Sequence, residues 1–229
     1  MITDNDKTST ALQARQLLRA HRYGALCTLS KKFDGHPFGS ITPYLVDHDG
    51  SLLILISTLA EHTKNILHDP RVSLITHNQE NAHIQTQGRI TVLGSAILAD
   101  NREIAGKRYL RYFPEAQTYF SMHDFSFYRI VPQEIRYIGG FGNIHWVKAG
   151  NYTVAQYPLI EQEDEILAEM NISHEADIRR HTAQDDLKAE LIGIDYDGFD
   201  IRCGEQILRI QSAVPILDAQ QAMQQIKIS

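Results

Sequence analysis

The chain has 229 residues and a formal net charge of −6, and 43% of its residues are hydrophobic and 22% charged. This composition is typical of a folded globular protein, since it is too apolar for intrinsic disorder and too polar for a membrane protein. An acidic chain is also a poor general partner for nucleic acid, because phosphate binding needs clustered Lys and Arg. The length allows one medium domain and one smaller domain.

Localisation and redox state are predicted from simple patterns. The longest strongly apolar stretch, residues 52–56, is far shorter than the ~20 residues of a membrane-spanning helix. Residues 1–12 do not show the basic and then apolar pattern of a secretory signal, so we expect a cytoplasmic protein. Cys27 and Cys203 stand far apart without a C-x-x-C pattern, which indicates buried free thiols rather than a disulfide framework or a zinc site.

The first predicted element is an amphipathic helix that is capped by Ser9 or Thr10 and stops near Gly24. The hydrophobic period then changes to that of short strands separated by Asp-Gly turns, with a helix over 58–68 that Pro70 ends. The predicted strands of this part cover residues 25–30, 38–46, 51–57 and 72–75. The first three of these strands are predicted to form an antiparallel meander.

Residues 83–98 are rich in Thr, Ile and Val and contain Gly88 and Gly94, which fit the bulges that curl a sheet into a barrel. The glycine cluster at 139–142 lacks the G-x-G-x-x-G spacing of dinucleotide-binding proteins. The elements predicted between these segments are a helix over 101–113 and strands over 125–130 and 135–138. Residues 1–150 are therefore predicted to form an antiparallel β-barrel with peripheral helices.

The remaining residues, 151–229, are predicted to form a small α+β domain. An acidic run at 161–165 opens a helix that extends to residue 180, with acidic residues at its N-terminal end and basic residues at its other end, as the helix dipole favours. The other predicted elements are strands over 191–194, 199–203 and 206–210 and a helix over 218–226.

The segment 56–65 carries the clearest local chemistry. It leads from the end of a buried strand into a helix N-terminus and brings together hydroxyls, backbone N–H groups and the Lys64 ammonium, an arrangement that favours an anion such as phosphate. A plainer interpretation stays open, in which Ser57 or Thr58 only caps the helix and Lys64 is solvated.

Several motifs in a fixed order carry a resemblance to a known family. They are residues 38–44 (FGSITPY), 55–57 (LIS), 62–66 (HTKNI) and 69–74 (DPRVSL). Their order resembles that of the FMN-binding split-barrel superfamily of pyridoxamine 5′-phosphate oxidase. Within it, residues 124–130 (DFSFYRI) and the glycine cluster are similar to the haem-utilisation proteins of the HugZ/HutZ type. Residues 169–174 (EMNISH) resemble a motif of the small domain often fused to those proteins.

The resemblance implies a split barrel that forms a homodimer, with a cofactor pocket between the two barrels. It also implies which residues meet a flavin. Those that would border its ring are Ser40, Ile41 and Thr42, and those that would hold its phosphate are Ser57, Thr58, Thr63, Lys64 and Asn65.

A haem cofactor would need an axial ligand, most often a neutral histidine. The resemblance points to His174 in the small domain, and His145 is the second candidate because it follows the glycine cluster. Ordinary surface or capping roles stay open for both. Asp124 matches an aspartate that, in the resembled proteins, can tune iron-bound water or oxygen through a hydrogen bond, so it is the predicted catalytic residue.

The resemblance therefore implies a dimeric haem-binding protein of haem iron utilisation, which opens the haem ring oxidatively if it is an enzyme. Two alternatives stay open. One is an FMN-dependent oxidoreductase built on the same barrel, and the other is a non-catalytic protein that stores or delivers haem or regulates another enzyme.

Overall fold

The computed structural model describes residues 4–78, 83–182 and 188–228. The chain divides into two compact units, Met1–Thr153 and Val154–Ser229, and each has a hydrophobic core of its own. Within the described residues, no helix is both long and apolar enough to cross a membrane.

The first unit is an eight-stranded antiparallel sheet with helices around it. Its strands are β1 (Tyr23–Leu29), β2 (Pro37–Pro43), β3 (Leu45–Val46), β4 (Leu52–Ser57), β5 (Arg71–His77), β6 (Arg89–Leu98), β7 (Phe125–Ile138) and β8 (Ile144–Lys148). Its helices are α1 (Asp4–Arg19), α2 (Glu61–His68), α3 (Arg102–Tyr112), α4 (Gln117–Phe120) and α5 (Ala149–Tyr152). The strand order is β2-β1-β5-β6-β7-β4-β3, and β8 pairs with β7.

Tyr44 joins the two end strands of this sheet, because β2 and β3 are consecutive in the chain and separated by this residue alone. The side chain of Tyr44 is fully buried, and its hydroxyl donates a hydrogen bond to the carbonyl of Leu18 in α1 at 2.8 Å. Burial raises the pKa of Tyr44 above its ordinary value, so the hydroxyl keeps its proton as a donor. The sheet thus curls back on itself, and the predicted split barrel is confirmed.

One prediction about β7 is wrong. The sequence indicated one strand before Pro132 and another after it, but the structure has a single continuous strand. The pairing with β6 shifts register between Leu93 and Gly94, so β7 takes an extra residue there instead of ending. A Cβ on Gly94 would lie 2.2 Å from the carbonyl oxygen of Val131. Glycine is therefore required for this close approach, as the pattern of residues 83–98 suggested.

Two further predictions about the first unit are wrong. α1 begins at Asp4, so Ser9 and Thr10 lie inside the helix and do not cap it. Gly24 lies in β1 and not at the helix end, because α1 stops at Arg19. The sequence also missed β8, a short strand that pairs with the second half of β7.

The second unit is α+β, as predicted. Its elements are α6 (Glu163–Ser173), α7 (Glu175–Arg180), β9 (Ala189–Asp195), β10 (Gly198–Cys203), β11 (Gln206–Gln211) and α8 (Ala219–Ile228), and its sheet has the order β11-β10-β9. Met170, Ile178 and Phe199 are buried in its core. The single helix predicted from 161 to 180 is two helices, because the backbone leaves the helical conformation at His174.

We expect Gly94→Ala to lower the free energy of unfolding by about 2 kcal/mol, because overfilling a packed site costs ~1–3 kcal/mol. Denaturant unfolding followed by circular dichroism measures this change. Gly39→Ala is the matched control, since Gly39 also lies in a strand but a Cβ added there would have no atom within 4 Å. Equal losses in both variants would contradict the account of the bulge.

Candidate functional site

A cavity of about 330 Å³ lies in the first unit, where the ends of β4 and β2 and the start of α2 meet the segment α3–α4. Its walls are mainly apolar, and four aromatic side chains belong to them: Tyr109, Phe113, Tyr119 and Phe125. Small-molecule pockets have this character, with mostly hydrophobic and aromatic walls and few polar groups.

The aromatic walls pack against one another. The ring centroids of Tyr109 and Phe113 lie 4.6 Å apart, and those of Tyr119 and Phe125 lie 5.0 Å apart in a stacked arrangement. Tyr109 also meets Phe127 edge-on at 5.1 Å. Contacts of this kind hold each ring in one orientation, so this side of the cavity is preformed.

A buried charge cluster anchors α3 and with it Tyr109. Asp47 forms an ion pair with Arg129 at 2.8 Å, and Arg108 in α3 donates a hydrogen bond to Nε2 of His48. Burial alone would raise the pKa of Asp47, but the hydrogen bond from His48 and the charges of Arg108 and Arg129 hold it well below its ordinary value. The carboxylate therefore stays charged and keeps α3 against the sheet.

Three of the residues that sequence reasoning singled out meet beside the cavity. The hydroxyl of Ser57 donates a hydrogen bond to Oδ2 of Asp124 at 2.7 Å, and the backbone N–H of Thr58 donates to the carbonyl of Asp124 at 2.7 Å. Ser57 also accepts a hydrogen bond from the N–H of Leu59 at 3.0 Å and lines the cavity together with Ile41 and with Thr42. The Asp124 carboxylate is thus held by the hydroxyl of Ser57, which is itself a residue of the cavity lining.

Two other predicted binding residues have their side chains engaged inside the fold. Thr63 is fully buried, and its hydroxyl donates to the carbonyl of Ser57 at 2.6 Å. Asn65 is also buried, accepting from the N–H of Lys31 at 2.9 Å and donating to the Thr28 hydroxyl at 2.9 Å. These contacts fasten α2 to β4 and to the turn after β1.

Lys64 lies on the exposed face of α2. Its ammonium is 2.8 Å from the carboxylate of Glu61, one turn earlier in the same helix. Ala60, at the N-cap position, makes no side-chain cap. The N-terminal turn of α2 therefore already holds one negative charge next to the lysine that was predicted to hold a phosphate.

His62 is the site residue that sequence reasoning missed. Its ring lines the cavity, and its Nδ1 lies 3.2 Å from the hydroxyl of Ser40 in β2. Burial lowers its pKa, so the imidazole is uncharged at neutral pH. Its position in the segment 56–65 was the available signal, but the side of α2 that meets the barrel could not be read from eight residues.

Neither of the two predicted iron ligands is among the residues that line this cavity. His145 is in β8, with its Nε2 at 2.7 Å from the side-chain oxygen of Asn143. His174 is in the second unit, between α6 and α7, with its Nδ1 at 3.2 Å from Asp177. In the part of the chain that the structure describes, no group of three His, Cys, Asp or Glu side chains could hold a free metal ion.

Comparisons with known proteins find a matching family model and a related protein of known name. The model of the CREG β-barrel family matches residues 5–154. The non-canonical haem oxygenase HOZ, a chloroplast protein of Arabidopsis thaliana, is 30% identical over an alignment of 222 residues that covers 91% of this chain and 68% of that protein.

Two solved structures extend the similarity over both units. A protein of unknown function from Agrobacterium tumefaciens aligns with a TM-score of 0.78 at 21% identity, over 94% of this chain and 93% of that one. A haem-binding protein from Mycobacterium smegmatis aligns with a TM-score of 0.59 at 26% identity, over 95% and 94% of the two chains.

We expect Asn65→Ala to lower the free energy of unfolding by about 1–3 kcal/mol, because it removes a buried amide that accepts from the Lys31 N–H and donates to the Thr28 hydroxyl. Lys64→Ala, its neighbour on the exposed face, should leave stability unchanged, since exposed ion pairs contribute little. Thermal and urea unfolding of both variants measure this. A loss in Lys64→Ala as large as that in Asn65→Ala would contradict the assigned contacts.

Proposed function

This chain belongs to the CREG β-barrel family, and from that premise we propose that it binds haem at the cavity of its barrel unit and takes part in haem iron utilisation. The observation that carries the proposal is the relationship to the haem oxygenase HOZ, which covers 91% of this chain. The haem-binding protein of M. smegmatis supports it, with 26% identity over nearly the whole length.

The chemistry of the cavity fits one edge of a porphyrin. Flat apolar rings pack well against Tyr109, Phe113 and Phe125, and the polar side chains on the lining are few. A volume of about 330 Å³ is at the lower end of the usual pocket range of roughly 300–1,000 Å³. One chain therefore accommodates part of the macrocycle, and the rest must lie over the cavity mouth.

A second copy of the chain is the proposed cover of that mouth. Ile41, on the cavity lining, is 70% exposed, and nearby Leu59 is 75% exposed. Apolar side chains exposed together at a cavity mouth favour an intermolecular contact. We therefore propose a homodimer; a mass of 26.0 kDa in light scattering, that of one chain, would contradict it.

Asp124 is the proposed residue that acts on the bound group. When bound, haem supplies iron redox chemistry and a ring that can itself be oxidised. The Ser57 hydroxyl orients the Asp124 carboxylate, whose remaining acceptor positions can take a hydrogen bond from a water molecule at the cavity edge. The proposed role of Asp124 is therefore to hold this water molecule in a defined position beside the aromatic wall of the cavity.

An FMN-dependent oxidoreductase is less well supported by the residues at α2. A flavin phosphate would have to displace Glu61 from Lys64, and the side chains of Thr63 and Asn65 are already used inside the fold. Two negative charges at one helix N-terminus repel each other. These contacts support haem over FMN as the proposed cofactor.

We expect haemin to give a saturating Soret band with the purified chain, and FMN to bind far more weakly. Ala60→Trp should weaken haem at least tenfold, because Ala60 lines the cavity and an indole there fills it. Ala155→Trp is the matched control, since Ala155 is exposed in the second unit. Absorbance titrations measure both, and an unchanged affinity in Ala60→Trp would remove haem from this cavity.

We expect the bound haem to be consumed in air when a reductant such as ascorbate is present. Asp124→Asn should bind haem with the same affinity and consume it several-fold more slowly, because the amide keeps the size of the carboxylate and loses its charge. The decay of the Soret band and the release of iron to a chelator report the rate. Haem that persists in the unmodified protein would favour the storage or delivery role.

A further inference from the structure

We propose that the imidazole of His62 is the axial ligand through which this cavity holds the haem iron. The inference rests on the proposed haem binding and adds the residue that makes the bond. It differs from the sequence-based assignment, which placed the ligand at His174 or His145.

The first argument is position. His62 is the second residue of α2, and its ring lies on the cavity lining together with that of Tyr109. Among the histidines that the structure describes, it alone contributes to this lining. An iron ligand must come from a side chain that reaches the ring it binds, and His62 meets this condition within one chain.

The second argument is an unused nitrogen. Nε2 of His62 is shielded from solvent and has no hydrogen-bond partner among the residues that the structure describes. A buried polar nitrogen without a partner is costly, and a bond to a ligand removes that cost. The 3.2 Å contact between Nδ1 and the Ser40 hydroxyl holds the other ring nitrogen, so Nε2 stays available for a ligand while Nδ1 keeps its partner.

The third argument is the state of the ring. Iron binds a neutral imidazole through the lone pair of one ring nitrogen. The Ser40 hydroxyl can accept the Nδ1 proton, which leaves the lone pair on Nε2. A hydrogen bond on the far nitrogen of a metal-bound histidine commonly fixes its tautomer in this way.

The competing histidines differ in these respects. Nε2 of His145 is engaged with Asn143 at 2.7 Å. His174 has an orienting contact to Asp177, which is also the arrangement of a metal ligand, but it belongs to the second unit. An experiment must therefore separate His62 from His174.

The experiment adds haemin to the full-length chain and records the absorbance and electron paramagnetic resonance spectra. We expect His62→Ala to weaken haemin at least tenfold and to lose the spectrum of a histidine-ligated ferric haem. Free imidazole should restore that spectrum in His62→Ala, since it can occupy the space of the missing ring. His68→Ala, an exposed residue of the same helix, is the matched control and should match the unmodified protein.

Two controls separate ligation from structure. His62→Gln keeps a polar side chain of similar size near Ser40, so it should fold like the unmodified protein in circular dichroism and still lose the histidine-ligated spectrum. If His62→Ala and His62→Gln both keep that spectrum, the inference is wrong while haem binding stands. Loss of the spectrum in His174→Ala alone would place the ligand in the second unit, and absence of haem binding in the unmodified protein would overturn the proposed function itself.

Discussion

The first unit depends on one long strand that must stay continuous across a proline. β7 pairs with β6 from Tyr128 to Ile138, with β4 through its first half and with β8 through its second half. Pro132 has no N–H to donate, and it lies where β7 leaves β4 and has not yet met β8, so no bond to either is lost there. The bulge opposite Gly94 lets the strand bend at this point and remain paired with β6.

This continuity also places the site. The pairing of β4 with β7 sets Ser57 opposite Phe125, which brings Asp124 within reach of the Ser57 hydroxyl. Phe125 in turn stacks on Tyr119 and forms part of the aromatic wall. The proposed catalytic carboxylate and one side of the cavity therefore follow from the register of a single strand pair.

The elements that could be predicted from sequence are those with strong local signals. The antiparallel strands, the bulge at Gly94 and the helix start within the segment 56–65 were visible in the residue pattern, whereas the predicted meander was wrong because β2 and β3 lie at opposite ends of the sheet. The structural roles of Thr63 and Asn65 in that segment could not be predicted, because their side chains become buried only when α2 packs against the sheet. The aromatic wall was hidden for the same reason, since it joins Tyr109 and Tyr119 to Phe127 and Phe125 of β7.

The central claim is that haem occupies the barrel cavity, and methyl-labelled NMR tests it most directly. Ferric haem is paramagnetic and broadens the signals of nearby nuclei, and a gallium porphyrin of the same shape serves as the diamagnetic control. The account predicts that haemin erases the isoleucine methyl signals of Ile41 and Ile56, which line the cavity. Unchanged signals from both residues in a protein saturated with haemin would contradict it.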